Sequence, residues 1–350
     1  MSPGTPRRRV DRSGVDAAGT AAALDEAAAL LRAGGLVAFP TETVYGLGAD
    51  ATDAEAVAAI YRAKGRPATN PLIAHASGIA MARTLASTWT DDAEALARRF
   101  WPGPLTIVVT RSDLVPDVVS AGLETVGVRV PDALVARALI ERVGRPLAAP
   151  SANRSTEISP TTADHVLKGL DGRIALVLDA GPTTVGLEST VVDVTGAAPV
   201  VLRPGPIGAE EVAAALGRPV RVAAGPAESA AVSPSAGPAA RSPGQMEVHY
   251  APRTPATRAE PGEPLPAHGP QARLAVLAIG PARADAPAAS LVVALEEIEA
   301  ATRELYGALH RLDDADVDEI LVLMPPDTPG WTAVRDRLRR ATTAPPQTDP

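Results

Sequence analysis

Short apolar runs alternate along the chain with polar loops broken by glycine or proline, and helical patterns lie between several of them. LVAF from Leu36, Leu105–Val109, Val126–Val130, Leu147–Ala149, Ala175–Leu178 and Thr190–Val194 read as buried strands, because each is a short run rich in β-branched or small apolar residues and bounded by turn signals. The short link from Val194 to Val200 favours an antiparallel step, so the pattern predicts an α/β fold with a mixed parallel and antiparallel twisted sheet flanked by helices. An alanine-rich helix is predicted to end at Arg32, before Gly34 and Gly35. Thr52 and Glu55 have capping-box spacing for a second helix ending near Ala63. Ser159 followed by Pro160 predicts an N-cap and first turn for a helix through Leu167.

At 350 residues the chain has room for one large domain and one small one. Residues 1–19 are polar and read as a mobile tail, and 20–216 form the first domain. Residues 217–271 turn to alanine, proline, glycine and serine and read as a linker, interrupted by SPGQMEVHYAPRTP. Residues 272–345 hold LAVLAIG, a helix near Leu295–Leu312, EILVLMP and a helix from Thr332 to Thr342, which make a small α/β unit.

The net charge of −8 argues against general coating of nucleic acid, so any cations at work must be concentrated. With no cysteine, the chemistry rests on oxygen and nitrogen groups. No run reaches the roughly 20 apolar residues of a membrane span, and a soluble cytoplasmic protein is the expectation. There is neither a GxxxxGK[ST] loop nor a dinucleotide fingerprint, and the histidines are not at metal-ligand spacing.

The stretch from Leu36 to His75 carries the clearest chemistry. TETVYGLG crowds hydroxyls and glycines after a strand, and KGRPATNP offers Lys64, Arg66 and Asn70 in a proline-broken segment. Such groups suit an anionic ligand, although a KxR pair alone also reads as a solvated surface feature. Thr43 reads equally as a turn hydroxyl, and His75 as a strand-end histidine held by backbone. Arg129, inside VGVRVP, needs an anionic ligand or a structural ion pair. Ser151 and Asn153 sit in a strand-to-loop junction, APSANRS, where α/β proteins commonly place ligands.

These segments, together with WPGPLTIVV, VGVRVPD, PLAAPSANRSTEISPTT, GLESTVVDV, VLRPGPI and SPGQMEVHYAP, resemble the YrdC-like family of threonylcarbamoyl-AMP synthases in its two-domain, Sua-type form. The resemblance implies a YrdC-like catalytic domain with a small Rossmann-like C-terminal domain. It implies threonylcarbamoyl-AMP synthesis from L-threonine, bicarbonate and ATP, with Mg2+ on the triphosphate. It places Thr43, His75, Arg129, Ala149 and Ser189 around threonine, and Arg66, Asn70, Thr125, Ser151, Ser159, Arg203 and Tyr250 around ATP. Lys64 falls near the phosphates and, with Arg66, is the catalytic expectation, while SPGQMEVHYAP is expected to act as a lid. The product is expected to pass to a tRNA threonylcarbamoyl transferase complex, without direct tRNA contact being required. The reading from another class is a YrdC-like RNA-binding module. A carbamoyltransferase like the hydrogenase-maturation proteins is disfavoured by the missing zinc cysteines.

Overall fold

The computed structural model describes residues 4–223, 250–266, 268–269, 271–281 and 286–343. The expected lid segment lies outside the described residues except for Tyr250, Ala251 and Pro252. The chain divides into two compact units, Met1–Ser155 with Pro160–Gln245, and Thr156–Ser159 with Met246–Pro350.

The first unit begins with β1 (Arg7–Arg9), α1 (Ala18–Arg32), β2 (Val37–Pro40), β3 (Tyr45–Asp50), α2 (Ala54–Lys64) and β4 (Ile73–His75). It continues with α3 (Ile79–Thr84), β5 (Ala86–Thr88), α4 (Asp91–Phe100), β6 (Leu105–Arg111), α5 (Asp117–Ser120), β7 (Thr125–Arg129), α6 (Leu134–Val143) and β8 (Leu147–Ala148). It ends with α7 (Ala163–Leu170), β9 (Leu176–Asp179), β10 (Thr190–Asp193), β11 (Val200–Arg203), α8 (Ala209–Leu216) and β12 (Arg221–Val222). Among the described residues the strands form one mixed sheet, ordered β1-β9-β2-β3-β8-β4-β7-β6-β10-β11-β12, with β5 paired to β6. The step from Val194 to Val200 is antiparallel, as its length predicts.

Local expectations fail where a nearby side chain offers a better partner. The start of the chain is not a tail without structure: Arg7–Arg9 pairs in parallel with β9. Three consecutive arginines can hold an edge strand because carboxylates meet the first two, Arg7 at 2.6 Å from both Asp164 and Asp179 and Arg8 at 2.8 Å from Glu26. The cap of α2 is Asp53, whose carboxylate accepts from the Glu55 and Ala56 amides, while the Thr52 hydroxyl donates to Asp50. The helix expected from Ser159 starts instead at Ala163, capped by Thr162, and the Pro160 carbonyl accepts from the Tyr45 amide.

In the second unit, β13 (Ala256–Ala259), β14 (Leu274–Ile279), β15 (Leu291–Leu295), α9 (Ile298–Asp313), β16 (Glu319–Leu323) and α10 (Thr332–Ala341) follow one another. The sheet order is β13-β16-β14-β15 and every pairing is parallel, the arrangement that α/β crossovers produce. Two boundaries need correction. The stretch taken as linker contains β13, and β15 precedes the helix that was expected to begin near Leu295. Among the described residues no helix is long and apolar enough to cross a membrane.

Candidate active site

The alternation of β7, TVGVR, decides which residues line the site. Val126 and Val128 enter the core with Ala74, Ile107 and Val109, so Thr125, Gly127 and Arg129 point to the opposite face. Parallel pairing of Ile73 with Gly127 and His75 with Arg129 puts the β4 side chains Ile73 and His75 beside them. Gly127 keeps this face low: a Cβ there would lie 3.1 Å from Thr106 Cγ2 and 3.5 Å from Ile73 Cγ1.

Arg129 closes one end of the face. Its Nε donates to the Gly103 carbonyl at 3.2 Å, NH1 donates to Thr43 Oγ1 at 2.9 Å, and NH2 lies 2.6 Å from Glu42 Oε1 in an ion pair that is not an aligned hydrogen bond. The structural ion pair foreseen as one reading of Arg129 is therefore present, with donors of the fork remaining for a ligand. Thr41 Oγ1 donates to the Val44 carbonyl at 2.6 Å, so in its 2.8 Å contact with Thr43 it is Thr43 that donates. Having given its proton to Thr41 and accepted from Arg129, the Thr43 hydroxyl has only an acceptor lone pair left to offer any further partner.

His75 is fully buried, and burial, reinforced by the Arg129 charge, pushes its imidazole down to about 3 from 6.5. The ring is neutral at physiological pH. Below about pH 6.5 the unfolded chain takes up a proton that the folded one refuses, so stability falls as pH drops from that value toward 3, by up to about 1.4 kcal/mol per pH unit. Urea unfolding across this range should show a flatter dependence in His75→Gln, and an unchanged slope would remove His75 from the account.

On the neighbouring strands Ser189 Oγ lies 2.7 Å from Thr106 Oγ1, and Arg203 NH2 donates to the Ser189 carbonyl at 2.9 Å and to its hydroxyl at 3.1 Å. The backbone at Gly205 passes so close that a Cβ would fall 2.4 Å from the Thr190 amide nitrogen and 2.7 Å from the Ser189 carbonyl carbon, which is why glycine follows Arg203 and Pro204.

A second cluster gathers toward the start of β4. Because β8 runs antiparallel to β4 and the Ala149 amide donates to the Ile73 carbonyl, the chain leaving Ala149 runs back along β4 and carries Ser151 and Asn153 that way. Lys64 meets them: its Nζ donates to the carbonyls of Ser151 at 2.6 Å and Asn153 at 2.5 Å and to Asn153 Oδ1 at 3.1 Å. Arg66 Nε donates to the Asn70 carbonyl at 3.1 Å and NH2 to the Pro71 carbonyl at 2.9 Å. The solvated-surface reading of these cations is overturned, since Lys64 is 2% and Arg66 7% exposed. Lys64 is also not in a loop but is the last residue of α2, followed by Gly65 at φ 63°. Thr125 lies at the start of β7, four residues or about 13 Å along the strand from Arg129.

The expected residues thus fall into an Arg129 end with Thr43, His75 and Ser189, and a Lys64 end with Arg66, Asn70 and Ser151, Ala149 lying between them on β4's flank. Ser159 and Tyr250 belong to the second unit. There the His310 Nε2 lies 3.2 Å from the Ser159 carbonyl, and the Tyr250 ring lies 5.6 Å from that of Tyr306, tilted by 33°, with the Arg337 guanidinium 5.4 Å from the Tyr250 centroid. Sequence reasoning missed the partners: Asn153 as acceptor for Lys64, Glu42 on Arg129 and Thr106 on Ser189. Glu42 carried a signal, as a carboxylate between two threonines in an otherwise apolar approach, and Asn153 carried one for a ligand but none for Lys64.

The family described as telomere recombination, covering Sua5, YciO and YrdC, matches residues 29–205, and the threonylcarbamoyl-AMP synthase C-terminal domain matches 207–343. The family matches make the chain a YrdC-like nucleotidyltransferase. Threonylcarbamoyl-AMP synthase of Pyrococcus abyssi is 42% identical over 323 residues, spanning 90% of this chain and 92% of its own, and that of Bacillus subtilis is 42% identical over 326 residues with the same coverage. The crystal structure of P. abyssi Sua5 complexed with L-threonine superposes with a TM-score of 0.83 at 37% identity, covering 97% of this chain and 98% of that one. The chain belongs to the two-domain threonylcarbamoyl-AMP synthase family.

Proposed function

We propose that the chain joins L-threonine, bicarbonate and ATP into threonylcarbamoyl-AMP with release of pyrophosphate and of the water lost in forming the carbamate, and that Arg129 receives the threonine carboxylate while Lys64, Arg66 and Asn70 form the phosphate end. The observation that carries this reading is the pair of buried cationic centres along β4 and β7, Arg129 at the end of β7 and Lys64 with Arg66 toward the start of β4. Two anions that repel each other, a threonylcarbamate and a triphosphate, can be aligned only if each is gripped at its own cation. Carboxylation of the threonine amine makes a carbamate whose oxygen attacks the α-phosphorus, so no protein nucleophile takes part. Pyrophosphate leaves at the Lys64 end, where cations and hydrogen-bond donors balance the developing charge.

His75, Ala149 and Ser189 line the threonine end in this reading, and Thr125, Ser151 and Arg203 the nucleotide. The Lys64 end is built from cations and an amide, groups that meet phosphate oxygens rather than a metal. Magnesium would therefore arrive on the triphosphate, coordinated by phosphate and water. The labile product is handed in the cytoplasm to a transferase complex acting on tRNA.

The test is pyrophosphate release with each substrate omitted in turn. Release that requires threonine, bicarbonate and ATP together, without RNA, supports the synthesis. Salt-dependent RNA affinity with no pyrophosphate would support an RNA-binding module instead.

A further inference from the structure

We infer that Glu42 sets the charge of the amino-acid end and thereby selects a zwitterionic amino acid over an anionic acid of the same shape. The inference rests on the reading that Arg129 holds the substrate carboxylate. Glu42 is 7% and Arg129 4% exposed, and their closest approach is 2.6 Å. Among the described residues neither Glu42 oxygen receives an aligned hydrogen bond, and both are shielded from solvent. A carboxylate buried in this way is costly to keep, so its retention calls for a reason.

Orientation of Arg129 is not that reason. The Gly103 carbonyl and the Thr43 hydroxyl already fix the guanidinium on two sides. What Glu42 adds is charge. His75 is neutral, since burial holds its imidazole at about 3. The Arg129–Glu42 pair is then neutral as a unit and Arg203, bonded to Ser189, adds one positive charge, whereas without Glu42 this end would hold both cations without that carboxylate and draw in any small anion. A bare anion entering beside the pair is attracted by Arg129 and repelled by Glu42. A zwitterion brings an ammonium that recovers the loss, and Thr43, held as an acceptor by Thr41, offers it a hydrogen bond. Rejection of anions thus comes from a repulsive element built into the site, not from shape.

Calorimetry with L-threonine and with the hydroxy acid in which a hydroxyl replaces its ammonium, 2,3-dihydroxybutanoate of matching configuration, tests this. The wild-type protein should favour threonine by about a hundredfold, Glu42→Gln should narrow that ratio by at least about tenfold through tighter hydroxy-acid binding, and Glu42→Asp should keep it within about threefold. An unchanged ratio in Glu42→Gln, or parallel weakening of both ligands, would overturn the inference by leaving Glu42 a purely structural part. Equal binding of both ligands to the wild-type protein would overturn it without any variant, so a Glu42→Gln protein that does not fold leaves the idea exposed to refutation. If Arg129→Lys binds threonine as well as wild type does, the underlying carboxylate reading fails instead, and the two failures are separate.

Discussion

Arg129→Lys is expected to raise the KM for threonine by about tenfold to a hundredfold while the KM for ATP changes by less than about twofold. The guanidinium serves three directions at once, the Gly103 carbonyl, the Thr43 hydroxyl and the Glu42 carboxylate, and still has donors for a ligand. An ammonium is a single point with three donors, and it cannot reach the same partners from a shorter stem. Whatever it reaches, Glu42 or the ligand loses its paired arm. The thermal midpoint should fall too, because a buried carboxylate is left with a poorer partner. Calorimetry for each ligand, beside steady-state kinetics, separates the cases. Equal loss of threonine and ATP binding would make Arg129 a structural residue only and withdraw the assignment of the carboxylate end.

The polar face could be read from the sequence at β7 because alternation in VGVRV has a single consequence: if the valines are inside, Arg129 is on the other face with Gly127 and Thr125. The antiparallel step at Val194–Val200 was legible for a similar reason, since so short a link cannot cross the sheet. What stayed hidden are contacts whose partners are far apart along the chain. Lys64 meets Ser151 at a separation of 87 residues, and Thr106 meets Ser189 at 83. No local pattern encodes either. The N-terminal strand was missed because three arginines have no strand signature of their own, and the carboxylates that make the edge tenable, Asp164, Asp179 and Glu26, lie elsewhere along the chain. β13 was missed because ATRA lies in a stretch rich in alanine and proline, where its pairing with β16 leaves no mark.

Lys64→Ala is expected to abolish most synthesis and to destabilise the fold together, a different outcome from that of a cation on a solvated loop. The Lys64 ammonium is the hub of the turn after β8, binding two carbonyls and one side-chain amide oxygen of residues 151 and 153. Removing it takes one charged donor from each of these acceptors, of which Asn153 Oδ1 keeps the Ser151 hydroxyl, at a cost of about 1–3 kcal/mol for each carbonyl less whatever water recovers. It also frees Ser151, whose hydroxyl donates to Asn153 Oδ1 at 2.6 Å and whose backbone bridges to Gly46, from the geometry a nucleotide would meet. Pyrophosphate release should fall by at least about a hundredfold, since misplacing a reacting group by about 1 Å costs that much. The thermal midpoint should drop by several degrees, at roughly 2–4 °C per kcal/mol for a domain of this size. Arg66→Ala provides the contrast: its guanidinium ties the carbonyls of Asn70 and Pro71, four and five residues further along its own segment, where Lys64 ties segments 87 and 89 residues apart, so activity should fall with a smaller change in midpoint. Lys64→Met, which keeps the apolar stem and loses the charge, distinguishes packing from hydrogen bonding. If Lys64→Met or Lys64→Ala released pyrophosphate at the wild-type rate, Lys64 would have no part in the phosphate end, and the cationic cluster around Arg66 would have to carry the triphosphate alone.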